Sequence, residues 1–258
     1  MCNLTGIAFG EAVLTREAVA GRDVLDVGAL DVNGSLRPFV ESLGPARYVG
    51  VDIAPGPRVD IVVDASRIVE RFGAESFDVV ITTEMLEHIR DWPTVVSNLK
   101  QVVRPGGLLL VTTRSIGFHY HGYPFDFWRY EPEDMRAMFA DFEIVSLERD
   151  TDAPGIFMLA RKPLEFHENR AALALYSIVT KRRQAGISAL EIGIFRLGRR
   201  ARSEAVSARY RTSRRLRRVP RTVRRRVVGP VRRRVVSPAW RRLPPAVRST
   251  VKRVLRRA

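Results

Sequence analysis

Val24-Leu25-Asp26-Val27-Gly28-Ala29-Leu30-Asp31-Val32-Asn33-Gly34-Ser35 is an apolar run that ends in an acid and opens into a glycine-punctuated turn. A parallel sheet opens a nucleotide site in this way: glycine admits a ligand close to the backbone and takes backbone angles closed to other residues. A second short run, Tyr48-Val49-Gly50-Val51-Asp52, ends in a carboxylate about 25 residues after Asp26, the spacing at which an acid can accept both ribose hydroxyls. The three-glycine GxGxxG fingerprint is absent, because Leu30 and Asp31 stand where glycine would admit a pyrophosphate. Nicotinamide cofactors are therefore disfavoured.

Three further runs follow in order: Val59-Asp60-Ile61-Val62-Val63-Asp64, then Phe77 to Thr83 leading into Glu84-Met85-Leu86-Glu87-His88-Ile89, then Val102 to Thr113 around Pro105-Gly106-Gly107. In order and spacing, residues 21 to about 162 resemble the class I S-adenosylmethionine-dependent methyltransferases, in particular methyltransferase type 11. The resemblance implies a Rossmann-like methyltransferase fold, α/β, with a doubly wound, mostly parallel seven-stranded sheet, and S-adenosyl-L-methionine as cofactor.

The residues themselves alternate strand and helix patterns, which argues for a parallel sheet covered by helices on both faces. Strands are expected at 23–28, 47–52, 59–63, 77–82 and 107–113, with a closing pair at 142–147 and 155–160. Helices are expected at 4–20, 35–43, 66–72, 92–103 and 132–140. The chain divides into a catalytic domain over 1–164, a helical linker over 165–198 and an Arg-rich, disordered tail over 199–258.

The resemblance also distributes roles. Asp26, Gly28 and Gly34 form the turn that holds the methionine part of the cofactor, Asp52 meets the ribose and Asp64 the adenine amino group. Ile53 and Ala65 flank the adenine face, and Thr83 and Glu84 sit beneath the reacting end. A glycine is usual near position 30, so Leu30 departs from the pattern, although Asn33-Gly34 supplies a tight turn of its own. An isolated acid after a strand is equally a helix cap, a reading that applies most strongly to Asp64.

Methyl transfer to a hydroxyl calls for a base, and two regions offer one. His88 follows the fourth strand, where an imidazole of ordinary pKa is a usable base; alternatively, its Glu-His pair only shapes the loop. The second region is the aromatic loop Gly117 to Tyr130, with His119 and His121 as catalytic candidates and Tyr123, Asp126, Trp128 and Arg129 as acceptor-binding ones. Such a loop suits carbohydrate or other polar-ring acceptors; alternatively, it is a buried lid. No metal is expected, since His119 and His121 lack evident third and fourth ligands.

Charge is placed unevenly. Residues 196–258 hold 24 of the 44 Lys and Arg and one acid, Glu204, for 24 − 1 = +23; residues 1–195 carry 20 − 27 = −7. The tail repeats an octad, Val223 to Pro230 and Val231 to Pro238, and prolines at 220, 230, 238, 244 and 245 forbid one long helix. Arginines interleaved with Val, Leu and Trp240 suit an anionic membrane surface; phosphate contacts to nucleic acid are the other reading. One cysteine, Cys2, and no long apolar run suggest a cytoplasmic protein, peripheral at the inner membrane surface at most. The leading expectation is methylation of a small polar acceptor, for example a sugar hydroxyl of a polysaccharide or natural-product precursor. The alternatives are an RNA methyltransferase and a non-catalytic binding protein of the same fold; Thr82-Thr83-Glu84-Met85 differs from the Asn/Asp-Pro-Pro-Tyr loop of base-amine methylation.

Overall fold

A computed structural model describes residues 4–122, 125–170 and 172–217. Tyr123 and most of the Arg-rich tail lie outside the described residues. The chain divides into two units, one ending at Ile187 and one beginning at Ser188.

In the first unit, β1 (Asp23–Val27), β2 (Arg47–Asp52), β3 (Ile61–Val62), β4 (Phe77–Thr83) and β5 (Val103–Arg114) run parallel. Later in the chain, β7 (Glu143–Arg149) and β8 (Gly155–Arg161) form an antiparallel pair. The sheet order is β3-β2-β1-β4-β5-β8-β7, so β8 is the strand antiparallel to its neighbours. This is the expected doubly wound, mostly parallel seven-stranded sheet. Strand order reverses between β1 and β4, and a ligand cleft is expected outside the carboxyl ends of the strands there.

Alternate residues face opposite sides of a sheet. Val24, Val79, Ile81, Leu108, Leu110, Phe157 and Leu159 share one buried cluster with Phe9, Leu14, Val19, Leu36 and Val40. Those last five come from α1 (Leu4–Val13), α2 (Arg16–Val19), α3 (Arg37–Ser42) and the residues beside them. The expected single helix over 4–20 breaks in two because the Thr15 hydroxyl accepts the Ala18 N–H and starts a new helix. After α4 (Ile68–Phe72), α5 (Trp92–Val102) packs on β4 and β5, burying Val95, Val96, Leu99 and Val102. Residues 132–138 form α6.

The segment read as a helical linker is different. Within it, β9 (Leu175–Ser177) pairs with β10 (Arg182–Gln184) and with β6 (Trp128–Arg129), making a second, three-stranded sheet. Its Ala- and Leu-rich composition suggested a helix, yet Leu175 and Ser177 bury alternately beside half-buried Tyr176. Arg183 reaches both carboxylate oxygens of Asp134 at 2.6 and 3.0 Å. Residues 165–187 thus belong to the catalytic unit, because the aromatic loop needs a strand partner. Helix starts only at α7 (Ala189–Arg217), where Ser188 and Glu191 cap each other reciprocally. No helix among the described residues is long and apolar enough to cross a membrane.

Candidate active site

The carboxyl ends of the parallel strands place the cofactor half of the site. Gly28 has φ +86°, and a Cβ there would lie 2.9 Å from that of Met85, so this position requires glycine. Gly34, at φ +117°, donates its N–H to Asp31 at 2.9 Å and closes the turn. Leu30 is outside the left-handed region and donates its N–H to Asp52 Oδ2 at 3.3 Å. Its departure from the glycine pattern therefore costs the backbone nothing. The other Asp52 oxygen accepts the Ala54 N–H at 3.1 Å.

Asp26 is buried, accepts the Tyr48 hydroxyl at 2.8 Å through Oδ2, and has no partner at Oδ1. Burial pushes its pKa up to about 6, with the Tyr48 hydrogen bond opposing. Ile53 leaves 60 % of its surface exposed beside Asp52. A buried acid with a free oxygen and an obligatory glycine turn suit the cationic amino-acid end of S-adenosylmethionine, and a carboxylate with an exposed apolar side chain beside it suits the ribose and the flat base. Ala65 is buried, and Asp64 is exposed and accepts the Ser66 N–H at 2.8 Å, so it caps the short turn Ala65–Arg67.

Beyond β4 the backbone crosses the glycine turn through Met85 and enters a 3-10 turn, Leu86–His88. Glu84 begins this crossing at φ +53°, an angle disfavoured for a side-chain-bearing residue. Its carboxylate is taken by Arg114 and by the Thr112 hydroxyl, and it is 2 % exposed. Glu84 therefore anchors the crossing to β5. Thr83 is buried at the strand end.

Glu87 is fully buried and accepts the Thr113 hydroxyl at 2.9 Å. Two imidazoles approach its other oxygen, His88 Nε2 at 3.9 Å and His121 Nε2 at 3.5 Å. Their rings meet edge to face with centroids 4.8 Å apart. His88 Nδ1 is held by the Phe125 carbonyl, and His121 Nδ1 lies 3.0 Å from Asp126. Burial alone would lower the His121 pKa, but the Asp126 and Glu87 carboxylates beside it outweigh that and raise it to about 9. Burial by itself would raise Glu87, yet the two imidazoles beside it, His121 first, hold it low.

The aromatic loop has largely turned inward. Asp126, Trp128 and Arg129 are each 1 % exposed or less. Arg129 grips Asp126 at 2.5 and 2.7 Å and reaches the carbonyls of Phe118 and His119. Trp128 donates its indole N–H to the Arg90 carbonyl at 3.3 Å. These three side chains, expected to touch the acceptor, instead build the loop and position His121, because a buried carboxylate needs a cation beside it. His119 is exposed and stacks on Phe118, apart from the cluster. Sequence reasoning passed over Glu87 as a functional group, and also Tyr48 and Arg114. The Glu-His adjacency pointed to Glu87, whereas nothing local marks the other two.

Residues 10–149 match the family model described as "Methyltransferase domain". The chain belongs to this methyltransferase family. In family and fold it is a class I, S-adenosylmethionine-dependent methyltransferase. It is 35 % identical over 119 residues to a ubiquinone biosynthesis O-methyltransferase of Xanthomonas euvesicatoria, a match covering 40 % of this chain and 47 % of that protein. A protein of the same name from Nitrosococcus oceani is 32 % identical over 116 residues, covering 40 % and 48 %. The chain thus spans about half the length of the curated relatives it matches.

Among solved structures, a chain from the complex of the Haloferax volcanii Trm112 methyltransferase activator with a methyltransferase shares the fold. The TM-score is 0.50 at 16 % identity, covering 64 % of this chain and 91 % of that one. The [4+2]-cyclase SpnF matches as well, at TM-score 0.50 and 17 % identity, covering 62 % and 81 %.

Proposed function

We propose that the chain transfers the methyl group of S-adenosylmethionine to a hydroxyl oxygen of a small polar acceptor. The observation that carries this reading is the buried His88 Nε2, which has no hydrogen-bond partner and stands one short turn from the Met85 contact with Gly28. The curated relatives named as O-methyltransferases support it.

Bound S-adenosylmethionine supplies an activated methyl with its own leaving group, so the protein's task is alignment and removal of the acceptor proton. Alignment of reacting groups can supply about 7–11 kcal/mol. Asp26, Gly28, Gly34 and Asp52 hold the cofactor, with Ile53 against the base. His88 Nδ1–H donates to the Phe125 carbonyl, which fixes the tautomer with Nε2 open to a proton. His121, cationic beside Asp126 and Glu87, stabilises negative charge developing on the acceptor oxygen.

Transfer of labelled methyl to phenolic acceptors, sugars and RNA tests the reading. Label in a hydroxyl acceptor, reduced at least a hundredfold in His88→Ala, is the expected result. Label in RNA alone would overturn it. The phenolic and sugar arms decide between an aromatic acceptor and the polysaccharide precursor suggested by the aromatic loop.

We further propose that residues 199–258 dock the enzyme on an anionic surface, a reading supported by their local charge of 23 − 1 = +22. Co-sedimentation with phosphatidylserine vesicles and not with phosphatidylcholine ones is expected. Preference for RNA over anionic vesicles would contradict it.

A further inference from the structure

Glu87, His88 and His121 aim one donor atom each at a common space, and these atoms all lie within 4.8 Å of one another. His119, the expected companion of His121, is not among them; the missing donors come instead from the Glu-His pair 33 residues upstream. His88 is held through Nδ1 by a backbone carbonyl, and His121 Nδ1 lies 3.0 Å from the Asp126 carboxylate. Metal-binding histidines are oriented in this way: the Nδ1–H is given to a carbonyl or carboxylate, and the Nε2 lone pair is left free. Asp126 is in turn locked by Arg129.

Glu87 Oε1 and His88 Nε2 are both buried without a hydrogen-bond partner. Such groups are rare in folded proteins and call for an explanation, an ion being one. Zinc bonds of about 2.0–2.2 Å at tetrahedral angles separate neighbouring donors by roughly 3.3–3.5 Å, whereas octahedral angles would need about 3 Å. The Glu87 oxygen lies 3.5 Å from His121 Nε2 and 3.9 Å from His88 Nε2, nearer the tetrahedral spacing. Two nitrogens and one carboxylate also leave a fourth position open.

We propose that Glu87, His88 and His121 bind a divalent transition-metal ion, Zn2+ by donor set and spacing, with the open position taking the acceptor oxygen. This deepens the hydroxyl-methylation reading and rests on it for the role of the ion. A hydroxyl on the ion loses its proton to solvent near neutral pH, just as zinc-bound water does, and becomes the nucleophile. His88 and His121 then serve as neutral ligands, the ion displacing the proton that His121 carries in its absence and taking over removal of the acceptor proton.

The test titrates Co2+, then Zn2+, into the chelator-treated full chain, followed by calorimetry and visible absorption. One Co2+ per chain is expected, with the intense visible bands of a tetrahedral site, displaced by Zn2+. Affinity should fall at least a hundredfold in His88→Gln and in His121→Asn. Asp126→Asn, which leaves the three donor atoms in place but changes the group beside His121 and the partner of Arg129, should cost about 10- to 100-fold in a variant shown to be folded. Wild-type protein without a Co2+ spectrum, or folded His88→Gln and His121→Asn variants that keep it, would overturn the site. Methyl transfer persisting in metal-free wild type would also overturn it while leaving hydroxyl methylation standing. A metal-binding chain that methylates no hydroxyl would keep the site and remove the reaction assigned to it.

Discussion

The two halves of the cleft are built differently. In the cofactor half, the functional groups stand at or just past a strand end, and short backbone-to-carboxylate contacts predominate, Gly34 to Asp31, Ala54 to Asp52 and Ser66 to Asp64, beside two longer ones, Tyr48 to Asp26 and Leu30 to Asp52. In the acceptor half, the functional side chains are held from far along the chain, Glu87 Oε2 by Thr113, His88 Nδ1 by Phe125 and Glu84 by Arg114, while Glu87 Oε1 and His88 Nε2 have no hydrogen-bond partner. Local satisfaction leaves a signature in sequence and an open surface for ligand. Distant satisfaction leaves none, and buries polar groups whose loss is costly.

The largest effect should come from breaking the acceptor half. Arg129→Ala strands the Asp126 carboxylate, both residues being 1 % exposed, and removing one partner of a buried pair costs about 3–5 kcal/mol. Thermal unfolding of the variant should show a drop of many degrees; a shift of a degree or two would mean that water reaches Asp126.

Asp26 sets the next effect, through pH. Its pKa rises from 3.8 to about 6 on burial, so between those values the native chain keeps a proton that the unfolded chain has released. Stability therefore falls as pH rises from about 4 through about 6, by up to about 3 kcal/mol at 1.36 kcal/mol per unit. Denaturant midpoints at pH 4 and pH 7 measure this, and Asp26→Asn should flatten the difference.

Gly28→Ala forces a side chain into φ +86° and against Met85. The strain is of order 1–3 kcal/mol, with cofactor affinity falling alongside stability. The smallest stability effect belongs to Asp52→Ala, whose two N–H partners are half-buried and within reach of water. It should leave the melting temperature nearly unchanged while weakening S-adenosylhomocysteine at least about tenfold, or 1.4 kcal/mol.

This division explains what could be read from the chain. The five parallel strands, their order of appearance and the acids after them were legible because an apolar run closed by Asp or Gly is a local pattern. The role of Leu30 was not, since only the fold shows that its backbone needs no glycine. The hairpin of β9 and β10 was hidden in an Ala- and Leu-rich composition that favours helix, and it forms because Trp128–Arg129 needs a strand partner. In the aromatic loop, Asp126, Trp128 and Arg129 pack inward, and among its described candidates His121 reaches Glu87. Such convergence depends on residues more than thirty positions apart and has no period to detect.

The central claim is that the chain binds a methyltransferase cofactor through the acid-tipped strands. Calorimetric titration of S-adenosylhomocysteine into wild type and Asp52→Ala tests it most directly. Saturable one-to-one binding by wild type, weakened at least about tenfold in a variant of unchanged melting temperature, is the predicted result. A folded wild-type chain that binds no S-adenosylhomocysteine, or equal affinity in both proteins, would contradict it.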